Sequence, residues 1–283
     1  MRVHHDTSLT DFAERVLPWL ERSPALNNIV IVMLASRLAG IDPVEPDAWW
    51  LRVHGDDGEL RGVALRTPPR RPLLLSEMDD KAAVALADHC ASEGLDVPEV
   101  TGPSEASTAF AERYGAARGT SGTAGMAQCI YVLDTVVPPP GVPGRLRAPD
   151  GEETELLVAW ARQFHQEVDP GSAGDLGKIV RRRLQQPGLV WVWEESDRRP
   201  VAMNYVSRPV AGVVRVSAVY TPPELRGRGY ASAMVAATSQ RALDAGAERC
   251  LLYADLSNPI SNRLYQRVGY RPARDVRAWA FDT

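Results

Sequence analysis

Hydrophobic and polar positions in the first 140 residues follow both helical and strand periods, which is typical of a mixed α/β fold. The predicted helices cover residues 8–22, 25–39, 80–93 and 103–115, with Ser8 and Ser23 as start signals for the first two. The predicted strands cover residues 49–53, 60–66, 72–78, a short segment near Val100, and 126–133. A Gly-Asp-Asp-Gly turn joins the first two strands into a hairpin.

The remaining half repeats this pattern of elements. Residues 153–168 predict an amphipathic helix with Leu156, Trp160 and Phe164 on one face. The further predicted strands cover residues 189–195, 200–208, 213–221, 250–256 and 275–281, and the further helices cover 229–245 and 259–268. The predicted class is therefore α/β (α+β), with a mixed, mainly antiparallel sheet flanked by helices. A duplicated fold with one decayed copy stays open, because the halves show no self-similarity in sequence.

A proline-rich stretch, "VVPPPGVPG" (residues 136–144), separates the halves. Four prolines in nine residues cannot continue a helix or a central strand, and they favour a stiff, extended linker. We therefore predict an accessory α/β domain at 1–136, a linker at 137–144 and a second domain at 145–283.

Composition places the chain among globular proteins: 45% of its 283 residues are hydrophobic and 24% are charged. It has no apolar run long enough to span a membrane, and its N-terminus lacks the apolar core of a signal peptide. A cytoplasmic protein with no membrane partner, either monomeric or homodimeric, is expected.

The net charge of −4 is unevenly distributed. Residues 1–140 carry 12 Lys/Arg against 20 Asp/Glu, whereas residues 141–283 carry 20 against 16. A mildly basic half within an acidic chain fits an anionic small ligand better than a nucleic acid. Cys90, Cys129 and Cys250 are far apart and form no CxxC pair, which predicts buried free thiols and no metal site.

The stretch "YTPPELRGRGYASAMVAA" (220–237) carries the clearest chemistry. Pro222 and Pro223 end a strand, and a helix follows within a few residues. Gly227 and Gly229 permit positive φ and close approach to the backbone, and the helix N-terminus presents free N–H groups. These features predict an anion site, although a glycine-rich connector with solvated arginines would have the same sequence.

Two motifs together resemble the GNAT superfamily of N-acetyltransferases. "RGRGYA" (226–231) is similar to its Arg/Gln-x-x-Gly-x-Gly/Ala signature. "ADLSNPISNRLYQRVGYRP" (254–272) is similar to its final motif, with Asn258, Tyr265 and Gly269-Tyr270 in the expected places. The resemblance covers roughly residues 145–283, and the N-terminal half is similar to the degenerate or accessory half of two-part members.

The resemblance implies acetyl-CoA as co-substrate, bound by two groups of residues. The backbone of Val219 and Thr221 would hold the pantetheine arm, although both positions also suit an ordinary strand end. The pyrophosphate would lie on the amides of Arg226, Gly227, Arg228, Gly229, Tyr230 and Ala231. Asn258 would reach the cofactor arm, or cap the helix that follows it, or do both.

The same resemblance implies catalytic roles for Tyr265 and Val219. Tyr265 lies about two turns beyond Asn258, and a phenol is a reasonable proton donor to a departing thiolate, while a core tyrosine is the alternative. The Val219 N–H would stabilise the oxyanion. The strand offers Arg215, Ser217 and Tyr220 but no carboxylate, so the general base is not assigned; Glu194, Glu195 and Glu224 are the nearest acids.

The function that follows is N-acetyl transfer from acetyl-CoA to a primary amine of a small molecule or an exposed protein amine, by direct attack. A non-catalytic acyl-CoA-binding or sensing module is the alternative, because no base is evident. A nucleic-acid-binding protein that uses Arg-Gly-Arg-Gly fits the acidic chain least well.

Overall fold

The computed structural model describes residues 1–67, 72–168, 175–195 and 198–282. The chain divides into two compact units. The first unit comprises Met1–Ile130, Ala254–Asn258 and Pro272–Thr283, and the second comprises Tyr131–Tyr253 and Pro259–Arg271. Two segments from the C-terminal half therefore belong to the first unit.

The elements up to residue 133 follow a β-α-α-β-β-β-α-β-α-β order. They are β1 (Arg2–Asp6), α1 (Leu9–Leu20), α2 (Asn28–Leu38), β2 (Trp49–His54), β3 (Leu60–Arg66), β4 (Leu73–Leu75), α3 (Asp80–Ser92), β5 (Glu99–Pro103), α4 (Ser104–Arg118) and β6 (Gly122–Leu133). Strands β1 to β4 pair antiparallel in sequence order, and β4 pairs parallel with β5.

The elements after residue 144 follow the same order. They are β7 (Arg145–Arg147), α5 (Thr154–Val168), α6 (Leu176–Leu184), β8 (Val190–Glu194), β9 (Pro200–Val206), β10 (Val213–Tyr220), α7 (Tyr230–Asp244), β11 (Arg249–Asp255), α8 (Pro259–Val268) and β12 (Arg271–Phe281). Strands β7 to β10 pair antiparallel in sequence order, and β10 pairs parallel with β11.

The chain thus contains the same ten-element order twice, with the same sequence of strand pairings. This repeated order of strands and α-helices agrees with a duplicated fold, and duplication with one decayed copy stays a prediction. Strand β12 pairs antiparallel with β5, and its residues from Pro272 onward belong to the first unit. The predicted class, a mixed and mainly antiparallel sheet flanked by helices, is confirmed.

Two hydrophobic clusters cover opposite faces of β8 and β9 in the second unit. On one face Met203 and Tyr205 pack with α5 and α6 residues such as Leu157 and Val180. On the other face Ala202 packs with Met234 of α7. The alternation follows from the two-residue period of a strand with both faces buried.

Three expectations about elements were wrong in detail. Leu156 is exposed, and α5 instead buries Leu157, Val158, Trp160 and Ala161. Helix α2 begins at Asn28 with Asn27 as its N-cap, and not at Ser23, whereas Ser8 does cap α1 by accepting the N–H of Asp11. Strands β1 and β7 and helix α6 were missing from the predicted order, because two of them are short and β1 is largely polar and exposed.

Candidate functional site

Strand β10 carries a bulge near its C-terminal end. Ser217 pairs with Tyr205, but the next pair is Tyr220 with Met203, so β10 has one residue more than β9 between the two pairs. Ala218 takes up the extra length with φ of +49°, a left-handed conformation that is costly for a residue with a Cβ. Such bulges re-aim backbone groups and often lie beside active sites. The Ala218–Val219 backbone is therefore displaced from regular pairing with β9.

The two central strands of the second unit are paired only at their beginnings. β10 is paired with β11 at Val213, Val214 and Arg215, within the residues that the structure describes. Beyond Arg215, β10 pairs with β9 alone. The bulged end of β10 therefore presents backbone groups on the side that faces away from β9.

The loop after β10 turns sharply before α7. Pro223–Leu225 form one 3₁₀ turn, and Gly227 and Gly229 have φ of +81° and +84°. Gly229 is the N-cap of α7 and, having no side chain, supplies no cap hydrogen bond. A Cβ on Gly227 would meet no atom within 4 Å, whereas one on Gly229 would lie 2.9 Å from Val142 Cγ2. The positive φ expected of both glycines is present.

This loop leaves a row of backbone donors available. Across residues 198–282, no acceptor pairs with the N–H groups of Gly227, Arg228 and Gly229, and those of Tyr230 and Ala231 lie in the first turn of α7. The Arg226 N–H is already used, because it donates to Pro223 O at 3.3 Å. Five of the six amides predicted to bind the pyrophosphate are therefore free for an anion.

The corresponding helix of the first unit has a different N-terminus. Helix α3 is capped by Asp79, whose carboxylate accepts the N–H of Ala82 at 2.8 Å, and Asp80 follows in the first turn. Two carboxylates at the helix N-terminus satisfy its dipole and repel an anion. The anion-binding geometry is therefore present at α7 and not at α3.

Residues 154–270 match the acetyltransferase (GNAT) family. This segment is a GNAT acetyltransferase domain. No curated protein matches the chain.

The similarity to solved structures extends beyond the GNAT domain to nearly the whole chain. A GCN5-related N-acetyltransferase from Sphaerobacter thermophilus has 17% identity and a TM-score of 0.64, and the match covers 98% of this chain and 94% of that one. A Drosophila protein has 11% identity and a TM-score of 0.69 over 98% of each chain. An acetyltransferase from the GNAT family of Colwellia psychrerythraea has 12% identity and a TM-score of 0.59 over the full length of both chains. At these sequence identities the similarity shows the fold alone, and the shared fold covers both halves of this chain.

The two arginines of the GNAT-domain loop, Arg226 and Arg228, differ in their ion pairing. Arg226 is ion-paired with Glu167 of α5 at 2.7 Å, and its Nε donates to Thr221 O at 2.9 Å. Arg228 is exposed and has no ion pair in the described part of the chain. The ion pair of Arg226 is weak, because both side chains are about half exposed.

Tyr265 lies on α8 of the GNAT domain and is 9% exposed. Its ring contacts those of Tyr131 and Tyr270, with centroids 6.3 and 6.2 Å apart. Burial raises the pKa of Tyr265 to about 12, so the phenol stays protonated at neutral pH. Asn258 is exposed and directly precedes α8, and its backbone N–H donates to Asp255 O at 3.1 Å.

The three acids considered as possible bases, Glu194, Glu195 and Glu224, are held by hydrogen bonds or exposed. Glu194 is buried and accepts hydrogen bonds from Arg145 and Arg147, and the bond from Arg147 is the main reason that its pKa is lowered. The hydrogen bond from Tyr230 and that from Arg199 likewise lower the pKa of Glu195. Glu224 is exposed in the 3₁₀ turn. Neither Glu194 nor Glu195 is suited to accept a proton near neutral pH.

Sequence reasoning found the loop glycines but missed the bulge, because alanine at positive φ leaves no signal in the sequence. The cysteines are buried and free, as expected. Among the residues described, no group of three or more His, Cys, Asp or Glu side chains could hold a metal ion. None of the described helices is both long and apolar enough to cross a membrane.

Proposed function

We propose that residues 145–283 form the catalytic domain of an acetyl-CoA-dependent N-acetyltransferase. The acceptor is a primary amine of a small molecule or an exposed protein amine. The observation that carries the proposal is the row of free backbone amides from Gly227 to Ala231, which follows a bulged strand within a GNAT domain. A helix N-terminus with glycines in place of a side-chain cap suits a pyrophosphate.

In this proposal the backbone of Val219 and Thr221 holds the pantetheine arm of acetyl-CoA. Thr221 also offers a side-chain group to the arm, since its buried Oγ1 has no hydrogen-bond partner in the described part of the chain. The free amides of residues 227–231 and the Arg228 guanidinium hold the pyrophosphate, and Asn258 binds the cofactor arm; the Arg226 amide, which donates to Pro223 O, is left out of this set. Acetyl-CoA supplies the activated acetyl group as a thioester.

The amine attacks the thioester carbonyl directly. The C–N bond forms first and gives a tetrahedral oxyanion, and the C–S bond breaks when this intermediate collapses. The Val219 N–H stabilises the oxyanion, because Val219 lies in the bulge, outside the regular pairing of β10 with β9. Tyr265 gives its proton to the departing thiolate and regains a proton from water, so that the tyrosine is unchanged over the cycle. The proton of the amine leaves to water, since β10 carries no carboxylate. A cytoplasmic location and a monomeric or homodimeric state stay predictions.

Release of free thiol from acetyl-CoA, measured with a panel of primary amines and amine-bearing peptides, tests this function. Calorimetry of CoA binding is run in parallel. We expect CoA binding and amine-dependent thiol release. CoA binding without turnover on any amine would favour the acyl-CoA-sensing alternative, and absence of CoA binding would contradict both.

A further inference from the structure

A second polar group lies on the face of the β9–β11 strands that α5 and α6 cover, away from α7. It consists of Arg183 of α6, Tyr205 of β9, Arg215 of β10 and Tyr253 of β11, and we call it the Arg-Tyr cluster. The reaction proposed above uses none of these four side chains.

Arg183 and Tyr205 are in direct contact. The Arg183 Cζ lies 5.0 Å from the centroid of the Tyr205 ring, which is a cation–π distance. Tyr205 is 8% exposed, and its buried hydroxyl has no hydrogen-bond partner in the described part of the chain. A buried phenol without a partner costs free energy, and a ligand that accepts its hydrogen bond would remove that cost.

Strand register places Arg215 and Tyr253 on the same face. Ser217 pairs with Tyr205 on β9, and Arg215 is two residues before Ser217, so the two β10 side chains share a face. Arg215 pairs with Leu251 on β11, and Tyr253 is two residues beyond Leu251. Burial raises the pKa of Tyr253 to about 12, and the charge of Arg215 acts against that rise.

The cluster holds two cations and no anion. Neither the Arg183 nor the Arg215 guanidinium pairs with a carboxylate across the described residues. Burial and the nearby charge of Arg215 both lower the pKa of Arg183. Two partly buried guanidiniums that lack a counter-charge are unfavourable by themselves, and an anion between them would be held by charge-assisted hydrogen bonds.

We propose that the Arg-Tyr cluster binds an anionic group, a carboxylate or a phosphate, on the acceptor amine. This inference rests on the proposed acetyl transfer and defines its substrate class. Arg215 precedes Ala218 by three residues, about 10 Å along a strand. A small acceptor anchored at the cluster would thus present its amine near the bulge.

Pairs of ligands that differ only in the anionic group test this proposal. Calorimetry with the full-length protein and saturating CoA compares amino acids with their amides, and phosphoethanolamine with ethanolamine. We expect at least one anionic member to bind about tenfold or more tightly than its neutral partner. The pair that shows the difference identifies the group as carboxylate or phosphate.

Arg183→Gln and Arg215→Gln should each remove most of this preference and leave CoA affinity unchanged. Arg182→Gln is the matched control, because Arg182 is the exposed neighbour of Arg183 on α6. Equal binding of both members of every pair, or a preference that persists in both cluster variants, would overturn the proposal. CoA affinity is measured separately, so a failure of the acetyl-CoA site would be recognised as such.

Discussion

Arg226 and Glu167 form an ion pair between the loop before α7 and the last turn of α5. The Arg226 Nη2 lies 2.7 and 2.9 Å from the two carboxylate oxygens. One of the two guanidiniums of this loop is therefore engaged by a carboxylate. In the proposed function a pyrophosphate has to compete with Glu167 for this cation.

Glu167→Gln should consequently tighten CoA binding. An exposed ion pair is worth about 0.2–1 kcal/mol, so the dissociation constant should fall by up to about fivefold. Calorimetry at low ionic strength measures the change. Glu155→Gln is the control, since Glu155 lies on the same helix and pairs with Arg181. Weaker CoA binding in Glu167→Gln would mean that the ion pair holds the loop in its binding conformation.

Gly227→Ala tests the row of amides more cleanly than a substitution of Gly229. A Cβ at Gly229 would collide with Val142, which would mix loop distortion with loss of binding. At Gly227 the added methyl meets no atom within 4 Å, so apart from the strain of alanine at φ of +81° it would obstruct only a ligand. We expect CoA affinity to fall about tenfold or more, equivalent to ~1.4 kcal/mol.

The control for that substitution is Gly246→Ala at the other end of α7. Gly246 also has positive φ, +96°, and open space at its Cβ. Both variants should lose about 1–2 kcal/mol of unfolding free energy, because each places alanine in a left-handed conformation. Equal CoA affinity in the two variants would contradict the assignment of the pyrophosphate to these amides.

The glycines and the helix N-terminus could be predicted from sequence because few residues tolerate that geometry. Gly227 and Gly229 have positive φ, and prolines before them end β10. The buried face of α5 could not be predicted in this way, since apolar residues at both 156 and 157 satisfy a helical period and only packing decides between them. The bulge at Ala218 and the Arg-Tyr cluster depend on strand register, which brings together residues from 183 to 253 and has no local signature.

The backbone strain at Ala218 in the bulge can be measured as a change in the free energy of unfolding. Ala218→Gly should raise the free energy of unfolding by up to ~1 kcal/mol, because glycine adopts φ of +49° without a Cβ conflict. Ala211→Gly should have the same effect on stability, since Ala211 has φ of +48° in a turn. Urea unfolding measures both. We expect the turnover number to change only in Ala218→Gly. A loss of turnover in both variants would show that turnover does not depend specifically on the bulge.

Tyr265→Phe should lower the turnover number by about 100-fold and leave CoA affinity within about twofold. The hydroxyl has no hydrogen-bond partner among the described residues, so thermal stability should hardly change. With a pKa of about 12 the phenol remains a proton donor up to about pH 11. Tyr131→Phe is the control, because its ring contacts Tyr265 and its hydroxyl accepts a hydrogen bond from Gln266. Unchanged turnover in Tyr265→Phe would remove it as the acid.

The Arg147–Glu194 pair predicts how stability depends on pH. The hydrogen bonds from Arg147 and Arg145 lower the pKa of Glu194 from 4.5, so this carboxylate stabilises the folded chain fully above about pH 4.5. That contribution is lost as pH falls through the lowered pKa of the folded state. Arg147→Met should therefore destabilise the protein most at neutral pH, and the difference from the wild type should shrink towards pH 3. Urea unfolding at pH 7 and at pH 3 measures this difference.

Arg145→Met should have a smaller effect, because the Arg145 side chain is 71% exposed. Arg147 also pairs with Glu153, whose pKa is likewise lowered, so a difference that stays constant with pH would show that Arg147 acts through packing and not through the charges of Glu194 and Glu153.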